Sequence, residues 1–209
     1  MTNVLLVEDS KITKDLLMSY IDRSHEYQIV TSLENAANAE LICMDDEVGV
    51  KLVLMDICTA DDESGLTAAA KIKKHNPDIK VIIMTSMPEY SFIHKAKVAG
   101  CDSFWYKEYG ETELLDVMDR TMRGESVFPN ETPVVSVGCT KSNVLTEREL
   151  TVLRQLVLGN KYEEIAEILG VSANTVKFHI RNLLAKTGYR SALQLVADVV
   201  SKRLIVPWF

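Results

Sequence analysis

Up to about residue 123, short apolar runs alternate with stretches whose apolar residues recur every three or four positions. Val4-Leu5-Leu6-Val7, Lys51-Leu52-Val53-Leu54-Met55-Asp56 and Val81-Ile82-Ile83-Met84 are compact and rich in branched residues, as strands buried on both faces are. Tyr27 to Leu33 and Phe104-Trp105-Tyr106 read as two further strands. Between them, Ile12, Leu16, Leu17, Tyr20 and Ile21 lie at helical spacing behind a cap at Asp9 or Ser10. Further helices are expected over about Asn35–Asp46, over Leu66–His75 before Asn76-Pro77, over about Pro88–Ala99 before Gly100, and over Glu111–Arg123. Strands alternating with helices predict an α/β unit, a five-stranded doubly wound parallel sheet.

Beyond residue 123 the pattern changes twice. From Gly124 to Asn143 the periodicity vanishes among Pro129, Asn130, Pro133, Gly138 and Ser142, which predicts a linker over residues 124–143. Thr146 with Glu149 then makes a capping box. The remainder, 144–209, reads as a small all-α domain with helices at about 147–158, 162–169, 173–186 and 191–203, punctuated by Gly159, Gly170 and Gly188. The middle pair, joined through Gly170-Val171-Ser172, fits a helix-turn-helix.

Composition excludes some classes and splits the rest. With 47% hydrophobic and 25% charged residues, the 209-residue chain has the make-up of a soluble globular protein. No apolar run approaches the roughly 20 residues of a membrane span, and no signal peptide is visible, so a cytoplasmic protein without membrane contact is expected. Cys43, Cys58, Cys101 and Cys139 form no CxxC pair and are expected as reduced thiols. Residues 144–209 hold nine Lys/Arg against six Asp/Glu, or +3. Since the whole chain has 23 against 30, the rest holds 14 against 24, or −10. An acidic front and a mildly basic tail point to two domains with different partners.

The strand ends carry the candidate chemistry. In open α/β sheets, ligands bind beyond the carboxyl ends of the strands. Glu8-Asp9, Asp56, Thr85-Ser86 and Lys107 each follow an expected strand, which brings three acids, a hydroxyl and an amine to one edge. Taken singly, each has an ordinary structural reading: helix cap, strand-end residue, surface lysine. Their combination is what marks a site.

Residues 1–123 resemble a response-regulator receiver domain, through Glu8-Asp9, Asp56, Thr85 and Lys107 in that order. Residues 144–205 resemble the DNA-binding domain of the NarL/FixJ/LuxR class, through Leu145-Thr146-Glu147-Arg148-Glu149, Glu164-Ile165-Ala166 and Val171-Ser172 followed by Thr175-Val176-Lys177-Phe178-His179. The first resemblance implies a flavodoxin-like strand order and a phosphoacceptor at Asp56. It also implies Mg²⁺ held by Glu8, Asp9, Asp56 and the backbone carbonyl of Cys58. Lys107 would pair with a phosphoryl oxygen, with Thr85 and Phe104 as the switch pair. It implies a sensor histidine kinase as phosphodonor and a homodimer when phosphorylated. A carboxylate can serve as the nucleophile, and a cation and a fixed ammonium answer the charge of the phosphoryl group.

The second resemblance implies double-stranded DNA as partner and transcription control as the outcome. On the helix over 173–186, Val176, Ile180, Leu183 and Leu184 mark the buried side, and Asn174, Lys177, Phe178 and Arg181 face outward. Lys177 and Arg181 can reach guanine edges or phosphates. Thr175, His179, Lys186 and Arg190 are expected near phosphates. His179 has an equal claim as a packed residue bonding a neighbouring backbone group.

Two departures stand out, and the last helix leaves a choice open. The loop Ile57–Gly65 lacks the family's proline four residues after the acceptor, is longer by one residue before its glycine, and adds Asp61, Asp62 and Glu63. Glu163 stands where lysine is common, and Lys161-Tyr162 replace a small polar pair. The last helix has an apolar face, Ala192, Leu195, Val196, Val199 and Val200, that suits core or dimer seam. The altered loop motivates an alternative, a DNA-binding regulator whose front domain is a phosphorylation-independent interaction module. A phosphatase with an aspartyl nucleophile would want a second Asp two residues after the first, where this chain has Cys58. The chain is not expected to be a turnover enzyme.

Overall fold

The structure, a computed structural model, describes residues 1–206, without the side chains of Asp62, Tyr109 and Glu111. It divides into two compact units: Met1–Ser86 with Ser91–Asn130, and Met87–Tyr90 with the chain from Glu131 onward.

In the first unit β1 (Thr2–Val7), β2 (Tyr27–Leu33), β3 (Leu52–Asp56), β4 (Lys80–Thr85) and β5 (Ser103–Tyr106) form one sheet in the order β2-β1-β3-β4-β5. Every pairing is parallel. This is the expected doubly wound, flavodoxin-like order. The compact Val/Ile/Leu runs became the three central strands because both of their faces are covered. All of β3 is buried. Its Leu52 and Leu54 join Val4, Leu6, Ile82, Met84 and Trp105 in a layer closed by Leu17 and Ile21 of α1 (Lys11–Ser24) and Leu114, Val117 and Met118 of α5 (Glu111–Met122). Val53 and Met55 alternate onto the other face, where α3 (Gly65–His75) packs on β3 and β4. Ser10 is the residue that caps α1, by accepting from the Thr13 amide.

Two helices are shorter than the periodicity predicts. The Ala-rich stretch from Asn35 forms a 3₁₀ turn at Ala36–Asn38 and then a brief α2 (Ala39–Cys43). The Asn35 side chain caps the turn at Ala37, and the Ala36 amide is drawn to Thr59, so the first turn answers to loop contacts. α4 (Phe92–Val98) begins four residues after Pro88. A turn at Tyr90–Ser91 precedes it.

The second unit is built from α6 (Glu147–Val157), α7 (Tyr162–Leu169), α8 (Ala173–Thr187) and α9 (Ala192–Ser201). Thr146 and Glu149 form the expected capping box on α6, and Ser172 caps α8. Gly170, at φ 63°, ends α7 in the left-handed region that a side chain disfavours, which turns the chain into α8.

The stretch expected to be irregular contains a two-stranded ribbon, β6 (Ser136–Val137) and β7 (Thr140–Lys141). Val137 is fully buried in the same cluster as Leu150, Leu153, Leu183, Leu195 and Val199. Leu204 and Ile205, beyond the last helix, join it. The ribbon is anchored by the Cys139 amide, which donates to the Thr187 carbonyl at 2.9 Å. Two-residue strands separated by Gly138-Cys139 leave no period to detect, so the sequence pattern could not reveal them.

Gly138 has φ 57°, and a Cβ there would lie 2.0 Å from the Thr187 oxygen. Gly138→Ala is therefore expected to destabilise the second unit by about 2–4 kcal/mol, through overpacking and an unfavourable φ. Denaturant unfolding of the full chain, followed by circular dichroism, measures it. A free linker would leave the midpoint unchanged.

Candidate functional site

The parallel register delivers the site. Asp56 ends β3 and Thr85 ends β4, with Asp56 opposite Met84 and Thr85 opposite Tyr106. Glu8 follows β1, and Lys107 follows β5. All four strand ends thus open at one edge of the sheet. Glu8 and Asp56 are buried, and Asp9 is exposed at the rim. The Lys107 Nζ lies 2.6 Å from a Glu8 oxygen and 2.8 Å from an Asp56 oxygen. The other Glu8 oxygen accepts from the Ser10 amide at 3.1 Å.

Charge is held here under tension. The Asp56 carboxyl is pushed up to about 6: burial raises it, Lys107 pulls it down, and the neighbouring Glu8 and Asp9 raise it further. For Lys107, burial works against the ammonium, but Asp56 and Glu8 more than offset it and raise its pKa. The ammonium stays charged and the Asp56 carboxylate is poorly solvated. Such a group is a stronger nucleophile than one in water.

Carboxylate oxygens of Glu8, Asp9 and Asp56 lie within 4.8 Å of one another. Hard oxygen donors from two or three acids, one of them at the solvent rim, suit Mg²⁺, which keeps several waters. The residues present therefore fit the ion that the sequence implies.

Gly65 explains why the loop after Asp56 must return so closely. A Cβ at Gly65 would lie 1.8 Å from the Asp56 carbonyl oxygen, so α3 can start only from glycine at this point. Phe104 is 1% exposed and Thr85 also 1%. The Phe104 ring meets Tyr106 edge-on, with centroids 5.0 Å apart. The expected switch pair is buried on β5 and β4, with Phe104 turned inward.

On α8, Asn174, Lys177, Phe178 and Arg181 are exposed, while Val176, Ile180 and Leu183 are buried. That is the outward face the periodicity predicts, and only Leu184 is less buried than expected. The Arg181 guanidinium lies over the Phe178 ring at 5.8 Å, and His179 meets the same ring edge-on at 5.6 Å. Thr175 and His179 are half-buried, and Arg190 is exposed. Lys186 differs from the rest of this set. Its Nζ lies 2.8 Å from Glu149 and 3.2 Å from the Val144 carbonyl, so it clamps α8 to the start of α6. Sequence alone could not find this partner, 37 residues away.

Residues 4–119 match the model described as "Response regulator receiver domain", and residues 143–198 that of "Bacterial regulatory proteins, luxR family". Over 207 residues the chain is 33% identical to the response regulator protein VraR of Staphylococcus aureus strain NCTC 8325 / PS 47, covering 97% of this chain and 98% of that one. The chain belongs to the LuxR-type response regulators. RcsB of Salmonella enterica serovar Typhimurium, solved on the promoter rprA with the phosphomimetic BeF3⁻, shares the fold at a TM-score of 0.60 and 18% identity, over 96% of this chain and 99% of that one. Another Salmonella typhimurium RcsB structure gives 0.61 at 20% identity, over 96% and 100%. This response regulator thus carries a receiver domain followed by a LuxR-type DNA-binding domain. Among the described residues no helix is long and apolar enough to cross a membrane. Cys43, Cys58, Cys101 and Cys139 are free thiols.

The raised Asp56 value has a consequence for stability. The unfolded chain ionises this carboxyl near its ordinary value, close to 3.8, whereas the folded protein holds its proton up to about 6. Between these values the folded state binds more protons, so stability falls as pH rises, and above 6 the full cost remains. Asp56→Asn, without metal, should therefore be more stable than the parent by about 1–3 kcal/mol at pH 7.5 and no different below pH 4. Paired thermal melts in a chelating buffer at the two pH values test this.

Proposed function

We propose that this response regulator accepts a phosphoryl group on Asp56 from a sensor histidine kinase and controls transcription by sequence-specific binding to double-stranded DNA. The observation that carries the reading is the convergence of Glu8, Asp9, Asp56, Thr85 and Lys107 at the carboxyl ends of four adjacent parallel strands. An Asp56 oxygen attacks phosphorus. An O–P bond forms as the bond from phosphorus to the donor, a histidine nitrogen of the kinase, breaks and leaves its electron pair on that nitrogen. Mg²⁺ held by Glu8, Asp9, Asp56 and the Cys58 carbonyl would supply charge neutralisation. Lys107, now shared by two carboxylates, turns its ammonium to a phosphoryl oxygen, and the Thr85 hydroxyl donates to another. The added charge and acceptors bias the position of Thr85 and Phe104, and with it the surface of β5 and α5.

The phosphorylated regulator binds DNA as a homodimer in the cytoplasm. RcsB, similar in fold, has been solved as dimers bound to DNA, which supports this reading. Asn174, Lys177, Phe178 and Arg181 face base edges in the major groove, with Thr175, His179 and Arg190 towards phosphates. The net charge of +3 over residues 144–209 gives modest non-specific affinity, so two copies are needed on one operator. Lys186 sits in the ion pair with Glu149, and its contribution to DNA binding is through the position of α8.

Intact mass after incubation with a small phosphodonor and Mg²⁺ is the direct test. One added phosphoryl group, absent in Asp56→Asn, is expected. No added mass on the folded protein would favour the phosphorylation-independent module instead. For the second half, Lys177→Ala and Arg181→Ala should each weaken binding to a duplex chosen by in vitro selection by about 1–3 kcal/mol. Fluorescence anisotropy at fixed salt reads this, and unchanged affinity in both would remove α8 from the interface.

A further inference from the structure

The loop that follows the acceptor lacks the proline expected at position 60, yet it is not loose. Thr59 is 5% exposed, and its hydroxyl both accepts from the Ala36 amide at 3.1 Å and donates to the Glu63 carbonyl at 2.8 Å. The Thr59 amide donates to the same carbonyl at 3.2 Å, and the Gly65 amide to the Ile57 carbonyl at 2.8 Å. Ala60 donates its amide to the Glu34 carbonyl at 2.9 Å. A proline there could not make that bond. The Asn35 side chain donates to the Ala60 carbonyl at 2.9 Å and to Asp61 at 3.0 Å, and Asp61 adopts φ 60°. The loop is thus tied at three consecutive residues to the segment after β2.

These bonds have a geometric result at Cys58. Cys58 and Ser64 form an antiparallel bridge, with the hydrogen bonds made by their neighbours, Ile57 with Gly65 and Thr59 with Glu63. In that pattern the carbonyl of the bridged residue turns away from the partner segment. The Cys58 carbonyl is therefore aimed by the bonds on either side of it, and Thr59 holds one of them twice, through its amide and its hydroxyl.

We infer that Thr59 is a positioning residue for the magnesium site: its buried hydroxyl, bridging Ala36 and Glu63, fixes the Cys58 carbonyl in place of the missing proline. This rests on the receiver reading above. The residue touches neither metal nor phosphoryl group and acts through the backbone of its neighbour. Removing a group that orients a metal ligand costs affinity even when every ligand remains. Valine keeps the volume of threonine and takes away only the hydroxyl, leaving the Ala36 amide and one Glu63 bond without their partner.

The test is calorimetric titration of MgCl₂ into the full chain and its Thr59→Val, Thr59→Ser and Asn35→Ala variants. Thr59→Val should weaken Mg²⁺ binding roughly ten-fold, and Thr59→Ser, which keeps the hydroxyl, should bind within about two-fold of the parent. The rate of labelling by a small phosphodonor should shift to higher Mg²⁺ in Thr59→Val while reaching the parent's maximum at saturation. A merely structural loss would lower the maximum instead. Folded Thr59→Val with the parent's Mg²⁺ affinity would overturn the inference and leave the phosphoacceptor reading intact. If Thr59→Val does not fold, Asn35→Ala decides: a several-fold weaker affinity supports the tethered loop, and an unchanged one overturns it. A parent protein that binds no Mg²⁺ would overturn both readings together.

Discussion

The ammonium of Lys107, held between Glu8 and Asp56, is the interaction on which the receiver edge depends. Two buried carboxylates side by side repel, and burial alone would neutralise one of them. Lys107 reaches both at 2.6 and 2.8 Å and keeps a compact, charged cluster at the end of an otherwise apolar sheet. The cluster is only partly satisfied, since Asp56 is still pushed up to about 6. A divalent cation on the open side would relieve what remains, and the proposed phosphoryl transfer to Asp56 would depend on that added positive charge. The sheet bears the cost of this arrangement through the fully buried β3 and the largely buried β1 and β4, whose packing holds three acids and an ammonium in register.

The second unit uses an ion pair differently. Lys186 and Glu149 join the end of α8 to the first turn of α6, and Glu149 also closes the capping box with Thr146. Burial works against the Glu149 carboxylate, but Lys186 and the Thr146 bonds hold its pKa low. One carboxylate thus caps one helix and fixes the angle of another. Since α8 presents the exposed set Asn174, Lys177, Phe178 and Arg181, this clamp fixes how that face is presented. The ribbon of β6 and β7 adds a second hold on the carboxyl end of α8, through Thr187.

How much of this was legible in the sequence follows from the range of the interactions. Strands β1, β3 and β4 and helices α1, α3 and α5 to α9 were readable because their apolar period is local and strong. So were Glu8, Asp9, Asp56, Thr85 and Lys107, because a parallel sheet puts every strand end on one edge and the residue after each strand can be counted. What was not legible has long-range partners. Lys186 looks like any basic residue near a recognition helix until Glu149 is beside it. The length of α2 depends on Thr59, 23 residues beyond Ala36. The ribbon at Ser136–Lys141 is too short to carry a period, and what fixes it is the absence of space for a Cβ at Gly138.

The loop after Asp56 shows why a departure from a family pattern is not by itself a loss of rigidity. Proline stiffens a chain by fixing φ and removing a donor. Here the same stretch is stiffened by donors: Ala60 to Glu34, Asn35 to Ala60, Ala36 to Thr59. The two solutions exclude each other at position 60, because the bond to Glu34 requires the amide that proline lacks. The substitution of alanine is therefore coherent only together with Thr59 and Asn35. The added acids fit the same account. Asp61 takes the strained φ of 60° and is held by Asn35, so at least this acid of the three serves the turn. Read from the residues alone, the altered loop motivated a phosphorylation-independent alternative. Its hydrogen bonds show a loop braced in a different way.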